Sequence, residues 1–216
     1  MRRALAFLAA LPAFAAAEIP AFNAPTTFRV EVVSERRGPL AAATPGYPAH
    51  LTASEGETYA VRLSNPLPVP VAVGLTVDGL NTVTGAGSRA PGGARWLVEP
   101  HATALVSGWQ VGPPATRRFL FAWRDESYAF WRSRRDPSIE PRFGEIAAAF
   151  FWSSADLSRA RARRDEPPGV GPSVSPAQPT TATGDAGMFD PDAAVVVTYS
   201  FSAGMPWRGG RHRYGR

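Results

Sequence analysis

The sequence predicts a mainly β protein, an antiparallel β-sandwich with one short helix and a disordered Pro/Gly-rich insertion before its last strand. Three observations carry that expectation. Between Tyr59 and Gly85 the chain alternates apolar and polar residues twice, around a proline-rich turn, and closes on Asp78-Gly79; this is the pattern of a half-buried antiparallel pair. Similar short runs recur as far as Trp152, punctuated by proline and glycine, at the spacing of a sandwich or barrel. There is no cysteine, so the fold must close on packing, without a disulfide framework or a thiolate metal site.

Residues 1–17, MRRALAFLAALPAFAAA, hold the three parts of a secretory signal peptide in order: Arg2 and Arg3, an apolar run from Ala4 to Leu11, and the small residues Ala15 to Ala17. That run is shorter than the ~20 apolar residues that cross a bilayer, and no later segment reaches that length. The expectation is therefore an exported protein, periplasmic or extracellular, without a transmembrane segment and beginning near Glu18. No cysteine follows the small residues, which argues against a lipid anchor.

Thr27 to Val33 places Phe28, Val30 and Val32 on one face and Arg29 and Glu31 on the other, a half-buried strand. Residues 34–50, rich in Pro, Gly and Ala, read as a long loop. Thr58 to Ser64 points Tyr59, Val61 and Leu63 inward, and Asn65-Pro66 stops it, because proline cannot donate to a ladder. Pro66, Pro68 and Pro70 make a stiff connection to the strand Val71–Val77. Asp78-Gly79 supplies the positive φ values of a tight hairpin turn into a short strand, Leu80 to Thr84.

Residues 95–99, 103–109 and 117–123 are three more strand candidates, separated by Pro100-His101 and Gly112-Pro113-Pro114. Asp125 to Arg135 is the helix candidate, about two to three turns long, with Asp125 as its cap. Glu145 to Trp152 is apolar throughout and ambiguous by periodicity; its aromatic end favours a central strand covered on both faces. The segment 167–187 has hardly a large apolar side chain and cannot build a core. Residues 193–201 then return as a strand.

The expected domain organisation is a signal peptide at 1–17, a sandwich domain at 18–153 and a disordered linker at 154–191. The returning strand of the same domain follows at 192–203, and a basic tail at 204–216.

The region 58–153 carries four blocks: Y-A-V-R-L-S-N from Tyr59, V-D-G-L-N from Val77, W-L-V-E-P…S-G-W from Trp96 to Trp109, and F-L-F…E-S-Y-A from Phe119 to Ala129, leading into I-A-A-A-F. In order and spacing they resemble an uncharacterised bacterial family of exported or envelope-associated domains. The resemblance implies a compact β-rich domain. It implies no activity and carries over no catalytic residue.

Composition and motifs narrow the function further. All 23 basic residues are arginine, and the formal charge of +5 falls by two when the signal is removed. So small an excess gives no reason to expect a nucleic-acid partner. Asp78 is accounted for by turn geometry, with no second acid near it in sequence. Asp125 and Glu126 would diverge on a helix, whereas paired acid–base work requires two carboxylates facing one bond. His50, His101 and His212 fall in loops or the tail without ligand spacing. No G-x-S-x-G, P-loop or G-x-G-x-x-G occurs, and Ser107 and Ser127 lack the context of a nucleophile. No catalytic residue, metal ligand or cofactor is expected.

Binding candidates remain. Of six tryptophans, those at strand ends are expected to close the core. Trp131 with Arg132, Arg134 and Arg135 is the candidate binding patch, where an indole stacks on a sugar or protein partner and arginines supply hydrogen bonds. Arg159, Arg161, Arg163 and Arg164 form a basic run, read first as solvated. Arg208, Arg211, Arg213 and Arg216 in the tail are the candidate contacts to an anionic surface, each adding up to ~1 kcal/mol near charged headgroups. The expected role is a non-catalytic structural or binding domain of the periplasm or cell surface, with an envelope protein or glycan as partner. The alternatives are a carbohydrate-binding module and a hydrolase without a recognisable motif.

Overall fold

The computed structural model describes residues 25–110, 116–162, 175–176, 178–180, 188–189 and 193–201. The expected signal peptide and the tail arginines Arg208, Arg211, Arg213 and Arg216 lie outside them, as do Arg163 and Arg164.

Two sheets pack face to face. In the first, β1 (Arg29–Ser34) sits between β2 (Gly38–Ala43) and β4 (Thr58–Ser64), and β4 continues to β8 (Thr103–Val106). β9 (Gly108–Gln110) joins through β10 (Thr116–Leu120), which also pairs with the start of β4. In the second, β11 (Glu145–Trp152) is central, between β5 (Val71–Val77) and β15 (Val195–Phe201). Outside these lie β7 (Arg95–Val98) on β5 and β3 (Ala49–Ala53), parallel to β15. β6 (Leu80–Asn81) forms the hairpin with β5.

The core between the sheets follows from the alternation. Val30, Val32, Val61 and Leu63 of the first sheet are fully buried, as are Val71, Val73, Leu75, Ile146, Phe150 and Val197 of the second. Burying each such side chain contributes roughly 1.5–3 kcal/mol. The opposite face of the second sheet is covered as well. Ala90, in the loop before β7, packs with Ala147, Ala149 and Phe151, and the Arg95 guanidinium lies 3.7 Å over the Phe151 ring. β11 is therefore the doubly covered central strand that its apolar sequence predicts.

At both lateral sides of the sandwich, strands that are neighbours in sequence belong to opposite sheets. On one side β2 turns into β3, with Thr44 and Tyr47 bridged across the turn. On the other, β12 (Ser175–Pro176) pairs with β8, and β13 (Gln178–Thr180) pairs with β7.

Several expectations are corrected in detail. The stretch 34–50 is not one loop: it contains β2 and the start of β3, so His50 lies on a strand. The run 103–109 divides into β8 and β9, and the returning strand after Gly79 spans only Leu80–Asn81. The helix α1 (Tyr128–Arg135) begins later than expected, and its cap is Ser127, whose Oγ accepts from the Phe130 amide. Asp125 instead sits in a 3-10 turn, Arg124–Glu126, just before it. Within the stretch read as a linker there is a second helix, α2 (Ser154–Ala162), held by the buried Leu157. The same stretch holds β12, β13 and β14 (Met188–Phe189), the last paired with the end of β11.

Trp96 and Trp109 are core residues, 1% and 5% exposed, whereas Trp123 and Trp152 are half-buried. Trp207 is outside the described residues.

Candidate functional site

The β5–β6 turn is a hub. Asp78 and Gly79 have φ values of 50° and 80°, the left-handed pair that a two-residue hairpin demands. A Cβ on Gly79 would meet the Arg142 nitrogen and Glu140 carbonyl oxygen at 3.0 Å, so the turn lies tight under the segment leading to β11. Asp78 bonds that segment through its backbone twice, accepting from the Arg142 amide at 2.9 Å and donating to the Glu145 carbonyl at 2.8 Å.

The Asp78 carboxylate does more than favour the turn. It is 7% exposed, and its Oδ1 accepts from the Gly144 amide at 2.9 Å and the Tyr199 hydroxyl at 2.7 Å. Burial raises its pKa, opposed by the Tyr199 hydroxyl and by the Gly144 and Glu145 amides. Burial also raises the phenols of Tyr59 and Tyr199, and the neighbouring Asp78 charge adds to it. Both tyrosines thus remain protonated at neutral pH, and Tyr199 is the donor to the carboxylate. Turn chemistry alone predicts none of this, because the donors arrive from 66 and 121 residues away.

Two cavities flank this pair and share Asp78, Ala122, Ser127 and Tyr199 in their walls. The smaller, about 60 Å³, runs toward Tyr59, Trp109, Arg117 and Tyr128. The larger, about 210 Å³, is bounded by Trp123, Arg124, Phe143 and Phe201. Trp123 and Phe201 have ring centroids 4.6 Å apart, and Arg124 lies 4.8 Å over the Phe143 ring. The Trp123 Nε1 atom is buried without a hydrogen-bond partner among the described residues. An orphaned buried donor costs about 1–3 kcal/mol, so this one calls for an explanation. Asp78 is the only carboxylate lining either cavity among the described residues.

The sequence-selected patch adjoins the smaller cavity through Tyr128. Tyr128 stacks with Trp131 at 5.7 Å and contacts Trp109 at 5.1 Å. Trp131 is 39% exposed, and the Arg135 guanidinium lies 3.9 Å over its indole. Arg134 and Arg135 are exposed, whereas Arg132 is half-buried with its Nε unpartnered. The structure therefore brings Trp131, Arg134 and Arg135 to one exposed helical face and sets Arg132 apart. All three arginines also lie in the last turn of α1, where cations complement the helix dipole.

One further arrangement joins residues distant in sequence. His50 on β3 holds the Thr198 hydroxyl at 2.9 Å by Nδ1 and the Ser200 hydroxyl at 3.1 Å by Nε2. This has the outline of a nucleophile beside a base, but the third member is a hydroxyl rather than a carboxylate, and His50, Thr198 and Ser200 are all exposed. Among the described residues there is no group of three His, Cys, Asp or Glu side chains placed to hold a metal ion, and no helix long and apolar enough to cross a membrane.

No family model, curated protein or solved structure matches the chain.

Proposed function

We propose that this protein is an exported, non-catalytic binding domain of the bacterial envelope, with a glycan or a protein of that compartment as its ligand. The observation that carries the reading is the exposed Trp131–Arg135 pair beside Arg134, on a helix outside both sheets. An indole with a guanidinium against it is the kind of anchor that binding surfaces concentrate. Export is supported by the layout of residues 1–17 and by the resemblance of the V-D-G-L-N blocks to envelope domains. Binding without turnover is supported by Asp78: among the described residues the acid lining both cavities has no second carboxylate beside it in their walls, and its Oδ1 is occupied by two donors.

Crosslinking and pull-down from native envelope, comparing the wild-type chain with Trp131→Ala/Arg135→Ala, tests the surface. Loss of the captured glycan or protein in the double variant is expected, and equal capture would sink the assignment. A fluorophosphonate probe tests the catalytic alternative at Ser200. Covalent labelling there would replace the binding reading by a hydrolase one, and no labelling is the expected result.

A further inference from the structure

The smaller of the two cavities beside Asp78 carries an inference that stands apart from the envelope ligand. We propose that it is a site for bound water, which bridges the Asp78 carboxylate of the second sheet to the Tyr59 hydroxyl of the first. The two sheets would then be joined at this end by an internal polar link.

The carboxylate is the first argument. Both donors that reach Asp78, the Gly144 amide and the Tyr199 hydroxyl, meet Oδ1. Among the described residues Oδ2 has no hydrogen-bond partner, and no arginine comes within ion-pair distance of it. Arg117 and Arg118 line the same cavity, but Arg117 lies over the Tyr128 ring and Arg118 pairs with Glu35. Asp78 is 7% exposed, and leaving a buried carboxylate oxygen unanswered is costly.

Tyr59 is the second. It is 2% exposed and lines the cavity, and its hydroxyl has no partner among the described residues. Its ring stacks on Phe121 at 4.1 Å, and Tyr199 meets the same ring edge-on at 5.1 Å, so phenols from both sheets converge on one neighbour. Burial first, and the Asp78 charge second, raise the Tyr59 phenol; it keeps its proton and lies within the field of the carboxylate.

Access separates these atoms from the orphaned donors. Among the described residues that are not exposed, the unpartnered atoms with essentially no accessible surface are Arg95 Nε, Trp123 Nε1 and Arg132 Nε. Asp78 Oδ2 and the Tyr59 hydroxyl are unpartnered and accessible. The larger cavity therefore does not reach Trp123 Nε1, and its other walls select no ligand.

Size and charge name the occupant. The cavity holds about 60 Å³, room for about two water molecules at roughly 30 Å³ each. A calcium or magnesium ion takes about six oxygen ligands or more, whereas Asp78 is the only carboxylate in this wall among the described residues and shares it with two arginines. An anion would lie against Asp78. Water accepts from Tyr59 and donates to Oδ2, answering both groups without a charge.

Two measurements on the mature chain test this. High-resolution crystallography should show water in the cavity at hydrogen-bond distance, roughly 2.6–3.2 Å, linking Asp78 Oδ2 to the Tyr59 hydroxyl, singly or as a pair in series. A dry cavity, an ion in place of water, or a direct Tyr59–Asp78 hydrogen bond overturns the inference. The second is a double-mutant cycle in urea unfolding. Tyr59→Phe keeps the ring and removes the hydroxyl, and Asp78→Gly removes the carboxylate while tolerating the left-handed turn. Tyr59→Phe should raise the unfolding constant about fivefold in the wild-type background and hardly change it in Asp78→Gly. Equal effects in the two backgrounds would show that the groups are not linked and would sink the bridge. The crystallographic result needs no variant and decides the matter even where Asp78→Gly fails to fold.

Discussion

Replacing Asp78 by asparagine separates the two tasks of that side chain, because asparagine also tolerates the left-handed turn and still accepts from Tyr199 and Gly144 through Oδ1. Burial raises the Asp78 pKa in the folded state. Its contribution to stability is therefore complete below its unfolded value, about 3.9, and is lost as pH rises through the folded value. Glu57 has the opposite sign. It is 3% exposed, is bonded by Arg37 at 2.5 and 2.7 Å and by Ser34 at 2.5 Å, and has its pKa lowered chiefly by Arg37. Its contribution is present above the unfolded value, about 4.3, and disappears as pH falls through the folded one. Urea midpoints measured from pH 3 to 8 should thus respond in opposite directions: Asp78→Asn removes a loss on the alkaline side, Glu57→Gln a loss on the acid side. Matching slopes in both variants and wild type would show that neither group is linked to folding.

Asn65 shows why such residues escape a reading by local pattern. In sequence, Asn65-Pro66 is only a strand stop. In the structure Asn65 is fully buried; its Nδ2 donates to the Val69, Val98 and Glu99 carbonyls, and its Oδ1 accepts from Leu67. Two of those carbonyls come from 33 and 34 residues away, beyond any local periodicity. Asn65→Ala should cost on the order of 3 kcal/mol in urea unfolding, since several buried backbone groups lose their partner; a cost below about 1 kcal/mol would contradict this.

At the scale of elements, the long strands were legible because their faces differ. β4 and β5 have the residue limits that alternation predicts, and β11 has both the limits and the double coverage expected of a continuous apolar run. β2 and β3 were not legible. GPLAAA and AHLTA contain little that is β-branched or aromatic, and they become strands because β1 and β15 offer them paired edges. The coverage of β11 depends on one glycine. A Cβ on Gly74 would lie 1.9 Å from the Ala90 carbonyl oxygen, so Gly74→Ala must push the covering loop off Ala147, Ala149 and Phe151. The expected loss is about 1–3 kcal/mol, the usual cost of overpacking, with faster amide exchange in residues 88–92. Gly46, whose Cβ would meet nothing within 4 Å, pays only for its positive φ when changed to alanine, and amide exchange around Ala90 should not move.

For the molecule as a whole, β15 is the strand on which closure depends. It lies between β11 and β3, pairing Glu145–Ala148 with Val195–Thr198 on one side and Val197–Phe201 with Ala49–Ala53 on the other. The same strand brings Val195 and Val197 into the core and Tyr199 to Asp78. These pairings join residues about 50 and 150 positions apart, so their loop-closure entropy must be met before the core contacts compensate for it. The sequence reading anticipated that residues 193–201 return to the main sheet; it did not reach their parallel partner, because β3 was itself hidden in apparent loop. Without β15 the neighbouring β11 and β3 would both expose an unpaired edge and an unfilled core face. A chain ending at residue 192 should therefore show no cooperative urea transition and no near-ultraviolet circular dichroism from Trp96 and Trp109. A chain ending at Phe201, which keeps every described strand, should retain both signals. If the shorter chain unfolds cooperatively with the same midpoint, β15 is an accessory strand and the closure argued from its two partners is wrong.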